Sequence, residues 1–263
     1  MKHLKTSLKE LRDLFENTIT VRKIAEPLVS FDGEHSADSA RRFMEKRHFD
    51  VMGVREDGEV AGYVRLEDLT GEEVRDHLVG FKGAVVPDGA PLVIVIQSLR
   101  DSDAVFVSVF DKVSGIVTRG DLQKAPVRMW LFGLISLVEM QMLRLIRCRY
   151  PDDSWSVLLD EKRIAAAHKL LADRKKHNLE TDISDCLQWC DKRDIILKDR
   201  ALLLLSGLKD KNSGDRFLRH LEALRNDLAH AQDLIKGRWP ELADLVIEAE
   251  AFLQRLEEAG TRP

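Results

Sequence analysis

Arg225-Asn226-Asp227-Leu228-Ala229-His230 sets a guanidinium, a carboxamide and an imidazole on one short stretch. Together these groups could cleave a phosphodiester without a metal. An imidazole titrating near neutrality can take a proton from an attacking 2′-hydroxyl and return one to the leaving oxygen, and a guanidinium can hold the charge that builds on the phosphorane. The apolar stripe of this segment is Leu221, Leu224, Leu228, Ala231 and Ile235. At 3.6 residues per turn Arg225 and His230 fall off that stripe, about 140° apart, with Asn226 one turn before His230 on the same side. Glu139 is a further candidate, set at helical spacings among Phe132, Ile135, Leu143 and Ile146. A carboxylate among apolar neighbours needs a partner, so an ion pair with an arginine is expected ahead of a catalytic role. Thr118, Arg119 and Asp121 suggest a different chemistry: the carboxylate can accept two hydrogen bonds from a vicinal diol, while the hydroxyl and guanidinium donate to phosphate. Spacing alone decides little, since Arg163 and His168 stand as far apart as Arg225 and His230.

The elements that must position these groups fall into two unlike halves. Gly62-Tyr-Val-Arg65-Leu-Glu-Asp68-Leu69 recurs 53 residues later as Gly115-Ile-Val-Thr118-Arg119-Gly-Asp121-Leu122. A fixed internal period of this order marks a supersecondary unit in tandem. Each copy follows a helix, expected over Ser36 to Arg47 and Pro91 to Leu99, and a β-rich stretch, Phe49 to Val54 and Ala104 to Phe110. Gly58 supplies the first copy's hairpin turn. Asp68 and Asp121 could equally cap the helices after them, since Asp is a preferred N-cap.

This pattern resembles a tandem pair of CBS domains, a Bateman module, over Thr20 to Lys124, with Thr20-Val-Arg-Lys-Ile24 similar to the family's entry strand. The resemblance implies that Thr118 and Asp121 hold the phosphate and ribose of an adenine nucleotide in the groove between the copies. The first copy departs by carrying Arg65 where Thr or Ser is usual while keeping Asp68. One half-site is therefore expected to be better formed than the other.

After Pro126 the chain is poor in Gly and Pro and rich in Leu, Ala, Arg and Glu. Helices are expected over Val127 to Arg149, Trp155 to Lys176, Ile183 to Leu208 with irregularities, and Ser213 to Ala259 with a break near Gly237-Arg-Trp-Pro240, packed as an antiparallel bundle. The first is apolar on two faces, one of Trp130, Leu131, Leu134, Leu137, Val138 and Leu145, the other of Phe132, Ile135, Leu143 and Ile146. The second face suggests a partner subunit. Arg225 to His230, late in a helical bundle, resembles the Arg-polar-x3-His motif of HEPN domains. That likeness implies a metal-independent ribonuclease whose paired subunits line one cleft.

Composition bounds the rest. The formal charge of −4 lies in residues 1–125, while residues 126–263 balance at 23 basic and 23 acidic. RNA would thus have to be met by local clusters such as Arg144, Arg147 and Arg149 or Arg174 to His177. Three cysteines, Cys148, Cys186 and Cys190, form neither a disulfide framework nor a zinc site. Met1 to Asn17 predicts an amphipathic helix with Leu4, Leu8, Leu11 and Phe15 on one stripe and no secretory signal, and Met129 to Val138 is too short an apolar run to span a bilayer. An α+β protein of the cytoplasm follows, with no membrane span, no metal and no cofactor needed for catalysis. Its expected parts are a helix over 1–19, the repeated pair over 20–125 and a HEPN-like bundle over 126–263. The leading expectation is an adenylate-regulated, toxin-like endoribonuclease acting as a homodimer on RNA. The alternative is a non-enzymatic adenine-nucleotide sensor whose bundle dimerises or holds a partner. A bundle binding a nucleotide substrate for a partner transferase, and an antitoxin-like protein partner, are both left open.

Overall fold

The repeated segment folds as two copies of one strand-helix-hairpin unit, and its first consequence is an exchange of backbone hydrogen bonds between them. The computed structural model describes residues 8–177, 179–230, 233 and 239–261. These divide into a unit of Glu16–Arg128 and a unit that joins the residues up to Phe15 to those from Met129 on. Helix α1 (Leu8–Thr18) and strand β1 (Glu26–Pro27) precede the first copy, which is β2 (Ser30–Asp32), α2 (Ala37–Arg47), β3 (Val51–Glu56) and β4 (Glu59–Arg65). The second copy is β5 (Val85–Pro87), α3 (Leu92–Arg100), β6 (Ala104–Val109) and β7 (Lys112–Thr118). In each, a short strand runs parallel to the first hairpin strand, which pairs antiparallel with the second. The hairpin strands share one burial pattern, residue by residue. Even the ladder irregularity recurs, between Val54 and Arg55 and between Val107 and Ser108.

Sequence-local signals account for the helices. Ser36 caps α2 by accepting the Ser39 N–H, and α2 ends where His48 turns left-handed at φ 56°. Helix α3 buries Leu92, Val95, Ile96 and Leu99, and at 9 residues against 11 for α2 it is the shorter copy. The hairpin turns differ in residue type but not in shape. Asp57 and Gly58 have φ of 51° and 81°, and Phe110 and Asp111 have 49° and 62°. Positive φ at both turn positions matches the strand twist. Phe110, expected at a strand end, is instead a turn residue that is 95% exposed.

Thr20-Val-Arg-Lys-Ile24, expected as a strand, is a correction: Thr20 makes a single bridge to Pro91, and Val21–Lys23 form one 3₁₀ turn. The turn forms because its backbone donors are used elsewhere, Val21 N–H on Ala90 O at 3.0 Å and Arg22 N–H on Asp88 O at 2.8 Å. Glu73-Val74-Arg75, 53 residues later, repeats the device on the first copy. Glu73 bridges Ser36, Val74 N–H bonds His35 O and Arg75 N–H bonds Gly33 O, both at 2.9 Å. Val21 and Val74 are fully buried. Further along, Glu26 and Pro27 pair with Ile116 and Gly115 of the second copy, and Val79 pairs with Tyr63 of the first. Each copy's lead-in thus completes the other copy. The sheets are β1-β7-β6-β5 and β2-β3-β4.

The other unit is helical: α4 (Ala125–Arg149), which starts in the first unit, α5 (Glu161–Lys176), α6 (Trp189–Lys198), α7 (Arg200–Leu205), α8 (Lys211–Ala229) and α9 (Trp239–Thr261). Aspartates start three of them. Asp160, Asp199 and Asp210 accept the first free N–H groups of α5, α7 and α8. Trp130, Leu131, Leu134, Leu137, Val138 and Leu145 are buried as expected of the first α4 face. The second face is largely covered within the chain, with Ile135 and Ile146 buried and Leu143 half-buried, while Phe132 stays 47% exposed. By length and composition α4 could cross a bilayer, yet 61% of its most apolar window is buried inside the protein, as in a core helix. Helix α1 packs on this unit through Arg12, paired with Glu250 at 3.4 Å and with Glu257, and through Phe15, which lies against Gly133. Leu4, Asn178, Ala231, Ile235, Gly237 and the side chain of Leu8 lie outside the described residues.

The crossed lead-in yields a test. A Cβ on Gly62 would sit 2.4 Å from the Val79 carbonyl oxygen, whereas at the equivalent Gly115 the nearest atoms are 3.2 and 3.3 Å away. Gly62→Ala is expected to destabilise the unit by roughly 1–3 kcal/mol, and Gly115→Ala by clearly less. Equilibrium urea unfolding measures both, and equal midpoints would contradict the tight approach.

Candidate functional site

The exchanged lead-ins leave a groove in the Glu16–Arg128 unit, and a cavity of about 1040 Å³ opens there. Its walls bring together the lead-in at Glu26 to Val29, the β4 exit at Arg65 and the β7 exit at Thr118, Arg119 and Asp121. Asp68 is exposed and does not line it, although Glu67 does.

Asp121 is held rather than free. Its Oδ2 accepts the Thr118 N–H at 2.7 Å and the Thr118 hydroxyl at 3.0 Å, and Lys124 reaches Oδ1 at 2.9 Å. Thr118 is thereby the N-cap of the 3₁₀ turn Arg119–Gln123, with Asp121 closing the cap from inside. Lys124 also donates to Ile24 O at 2.6 Å and pairs with Glu26. Burial opposes the charge on Lys124, but Glu26 and Asp121 outweigh it and hold the ammonium above its ordinary pKa. Arg119 donates to Leu99 O at 3.4 Å and Ser102 O at 3.2 Å and pairs with Asp103 at 3.3 Å. Arg65 lies over the Tyr63 ring, 5.8 Å from its centroid, and reaches Asp103 at 3.8 Å. The Tyr63 hydroxyl holds the Arg65 guanidinium above its ordinary pKa against a smaller effect of burial.

The internal period explains why the two sides of the pair differ. Leu28 and Ile116 line the cavity, and Leu28 lies over Gly53. The residues 53 positions away are Phe81, Tyr63 and Phe106, whose rings meet one another with centroids 4.6 to 6.1 Å apart, Tyr63 stacked on Phe81 and Phe81 edge-on to Phe106. Three rings fill on one side the place that two aliphatic side chains and a glycine leave on the other.

In the helical unit Glu139 has the partner its sequence setting demanded, and the partner is Arg225. Arg225 Nη1 lies 3.3 Å from Glu139 Oε2, and Lys192 Nζ lies 2.7 Å from Oε1. The guanidinium also stands over the Trp189 ring at 5.5 Å, and Trp189 is fixed by donating its indole N–H to Leu218 O. Asn226 and His230 do not join this cluster. Both are exposed, and His230 is the C-cap that follows the last residue of α8, its N–H bonded to Asn226 O. The Arg163 motif serves structure: Arg163 pairs with Asp191 and Asp194 at 2.5 Å. Burial works against that guanidinium, yet Asp194 and Asp191 hold it well above its ordinary pKa. Asp194 is in turn held below the usual carboxylate range, despite its own burial, by Arg163 and Arg193. Arg147, Arg149 and Arg174 are likewise tied, to Ser184 and Asp185, to Asp199, and to Asp185 O.

Sequence inspection missed Lys192, Trp189, Lys124 and Asp103. For Asp103 a signal existed, because Asp50, 53 residues earlier, also lines the cavity. Among the described residues no cluster of His, Cys, Asp and Glu could hold a metal ion.

No family model and no curated protein matches the chain. Solved structures similar to its N-terminal part are CBS-domain proteins. CBSX2 in complex with AMP is 23% identical with a TM-score of 0.38, covering 42% of this chain and 97% of that one. CBSX2 from Arabidopsis thaliana is 21% identical with a TM-score of 0.38, covering 42% and 95%. The CBS domain of the bacterial CNNM/CorC family Mg²⁺ transporter in complex with ATP is 16% identical with a TM-score of 0.37, covering 46% and 94%.

Lys192 is 7% exposed and Glu139 26%. Glu139→Gln leaves the buried ammonium without its counter-charge and is expected to cost about 1–3 kcal/mol, partial exposure of the carboxylate keeping it below the range for a fully buried pair. Adding Lys192→Met should recover most of the loss. Thermal unfolding of the three proteins checks this, and an unchanged melting temperature in the single variant would mean that the pair holds nothing together.

Proposed function

We propose that the Glu16–Arg128 unit is a CBS-type regulatory pair that binds an adenine nucleotide in its groove, and that the helical unit is the effector it regulates. The supporting observation is the cavity onto which both strand exits open, with Thr118, Arg119, Asp121 and Arg65 in its wall. Its volume suits a small-molecule site. A ribose diol would compete with Lys124 and Thr118 for the Asp121 carboxylate. Chain order favours a response, because the 3₁₀ turn bearing Arg119 and Asp121 is followed after Lys124 by α4. Any such response must rest on different ligand affinities of two states.

An adenine nucleotide is expected to raise the melting temperature, as a ligand selective for the native state does. Asp121→Ala should abolish the shift, and Asp68→Ala, outside the cavity wall, should leave most of it. No shift with AMP, ADP or ATP at millimolar concentration, or a shift indifferent to Asp121→Ala, would overturn the assignment.

A second reading concerns the effector. Arg225 is 28% exposed and oriented by Glu139 and Trp189, while Asn226 and His230 face solvent at the same helix end. This favours a HEPN-type, metal-independent endoribonuclease in which Arg225 meets phosphate and His230 moves the proton. A second copy of the chain would bring two such sets together, and the exposed Met129, Phe132 and Met140 on α4 suit that contact. Purified protein incubated with total RNA and EDTA should then leave 2′,3′-cyclic phosphate ends, lost in His230→Ala. Absence of cleavage would leave the helical unit as a dimerising or partner-holding module without catalysis.

A further inference from the structure

Asp103 sits between two guanidiniums, one from each copy. Its Oδ1 is 3.3 Å from Arg119 Nη2 and its Oδ2 is 3.8 Å from Arg65 Nη1. All three residues line the cavity with Thr118. An anion bridging paired guanidiniums occupies the position that a phosphate would take. We infer that Asp103 is a resident competitor for phosphate in this groove, and that a phosphorylated ligand binds by displacing it from Arg65 and Arg119. This rests on the proposed nucleotide site and goes further by naming the anion position and the residue that sets its selectivity.

The two arginines can keep their places when the carboxylate leaves. Arg119 is anchored by the Leu99 and Ser102 carbonyls, and Arg65 by the face of Tyr63. Asp103 can leave cheaply, being 67% exposed and placed just before β6. Nearby cations are more firmly committed. Lys124, which does not line the cavity, holds Ile24 O, Glu26 and Asp121, and Arg41 in the wall holds Glu45 at 3.2 Å and Leu69 O at 3.1 Å. Arg65, which stands where the second copy has Thr118, is then no defect of a half-site but the second jaw of a clamp. Phosphate gains that clamp only after Asp103 has given it up, so part of its binding energy is spent on the exchange. An unphosphorylated nucleoside makes no claim on the clamp and is indifferent to Asp103.

Calorimetric titration of the full chain with adenosine, AMP and ATP, at low and at high salt, tests this, with Asp103→Asn beside the wild type. Asp103→Ser serves as a second neutral variant should the first melt below the wild type. At low salt the neutral variant should bind AMP and ATP tighter by about threefold or more, with ATP gaining at least as much as AMP. Adenosine should stay within about twofold, and the gain should shrink at high salt as screening weakens the competing pairs. Unchanged or weaker AMP and ATP binding would show that Asp103 supports the ligand and would overturn the inference. Equal tightening of adenosine would do the same, by pointing to groove shape. If none of the three ligands binds either protein, the nucleotide site itself fails, and the competitor with it.

Discussion

The groove exists because each repeated copy is completed by backbone that belongs to the other. Four N–H groups, on Val21, Arg22, Val74 and Arg75, give their hydrogen bonds to the opposite copy at 2.8 to 3.0 Å, and the two valines bury their side chains there. An unsatisfied buried amide costs as much as a lost hydrogen bond, so neither copy is complete alone. With the lead-ins crossed, β4 and β7 face each other, and Glu59 and Lys112, their first residues, pair at 2.6 Å. Both strand exits then open onto one space. Arg65 and Thr118 share a wall for that reason, not because either sequence copy encodes a pocket by itself.

Near-symmetry of backbone with asymmetry of side chain is what makes one side of the pair receptive. The ladders repeat residue for residue, so equivalent positions meet equivalent neighbours. A change of side-chain volume at 28, 53 and 116 against 81, 106 and 63 therefore acts directly on the space between the copies. Aromatic rings in mutual contact bury large area at little cost in conformational entropy. Leu28, Gly53 and Ile116 cannot fill the same volume. An open cavity is maintained here by under-filling, and its polar groups come from strand exits that already need caps: Thr118 and Asp121 satisfy each other.

Much of this was legible in the sequence, and the limits have physical reasons. The period of 53 residues, the helices, the hairpin strands and the contrast between the halves rest on side-chain pattern, which a sequence displays. The crossed lead-in rests on backbone hydrogen bonds, which carry no residue signature, so Thr20 to Ile24 resembled a strand and is a 3₁₀ turn. Phe110 resembled a strand residue because apolar side chains usually are, yet Asp57-Gly58 across the period already marked that position as a turn. For α4 the pattern showed two apolar faces and suggested a partner subunit for the second, yet periodicity carries no information on what covers a face, and Ile135 and Ile146 of the second are buried within the chain itself. Glu139 was legible as an acid in need of a cation. That the cation is Arg225, with Lys192 beside it, depends on the packing of α4, α6 and α8, which spacing along one helix cannot supply.

The double use of Arg225 bears on what the helical unit can do. Glu139 divides its carboxylate between a nearly buried lysine and a partly exposed arginine, and the shorter contact is to the lysine. Lys192 cannot leave, because an ammonium so far from water has no other place for its charge. Arg225 can, since it is accessible to solvent and its 3.3 Å contact is the weaker of the two. Its seat over Trp189 would persist when the contact to Glu139 lengthens, because a cation–π contact needs the ring face and not the carboxylate. An incoming phosphate could therefore claim Arg225 without leaving Glu139 unpaired, and the lysine is what makes that exchange inexpensive. Arg163, at the same spacing from its own histidine, lacks this freedom: two aspartates hold it at 2.5 Å, and removing it would leave the nearly buried Asp191 without its ion pair. The two arginines differ in the company their counter-charges keep, and that difference, not the motif, separates a group available to a ligand from one that is structural.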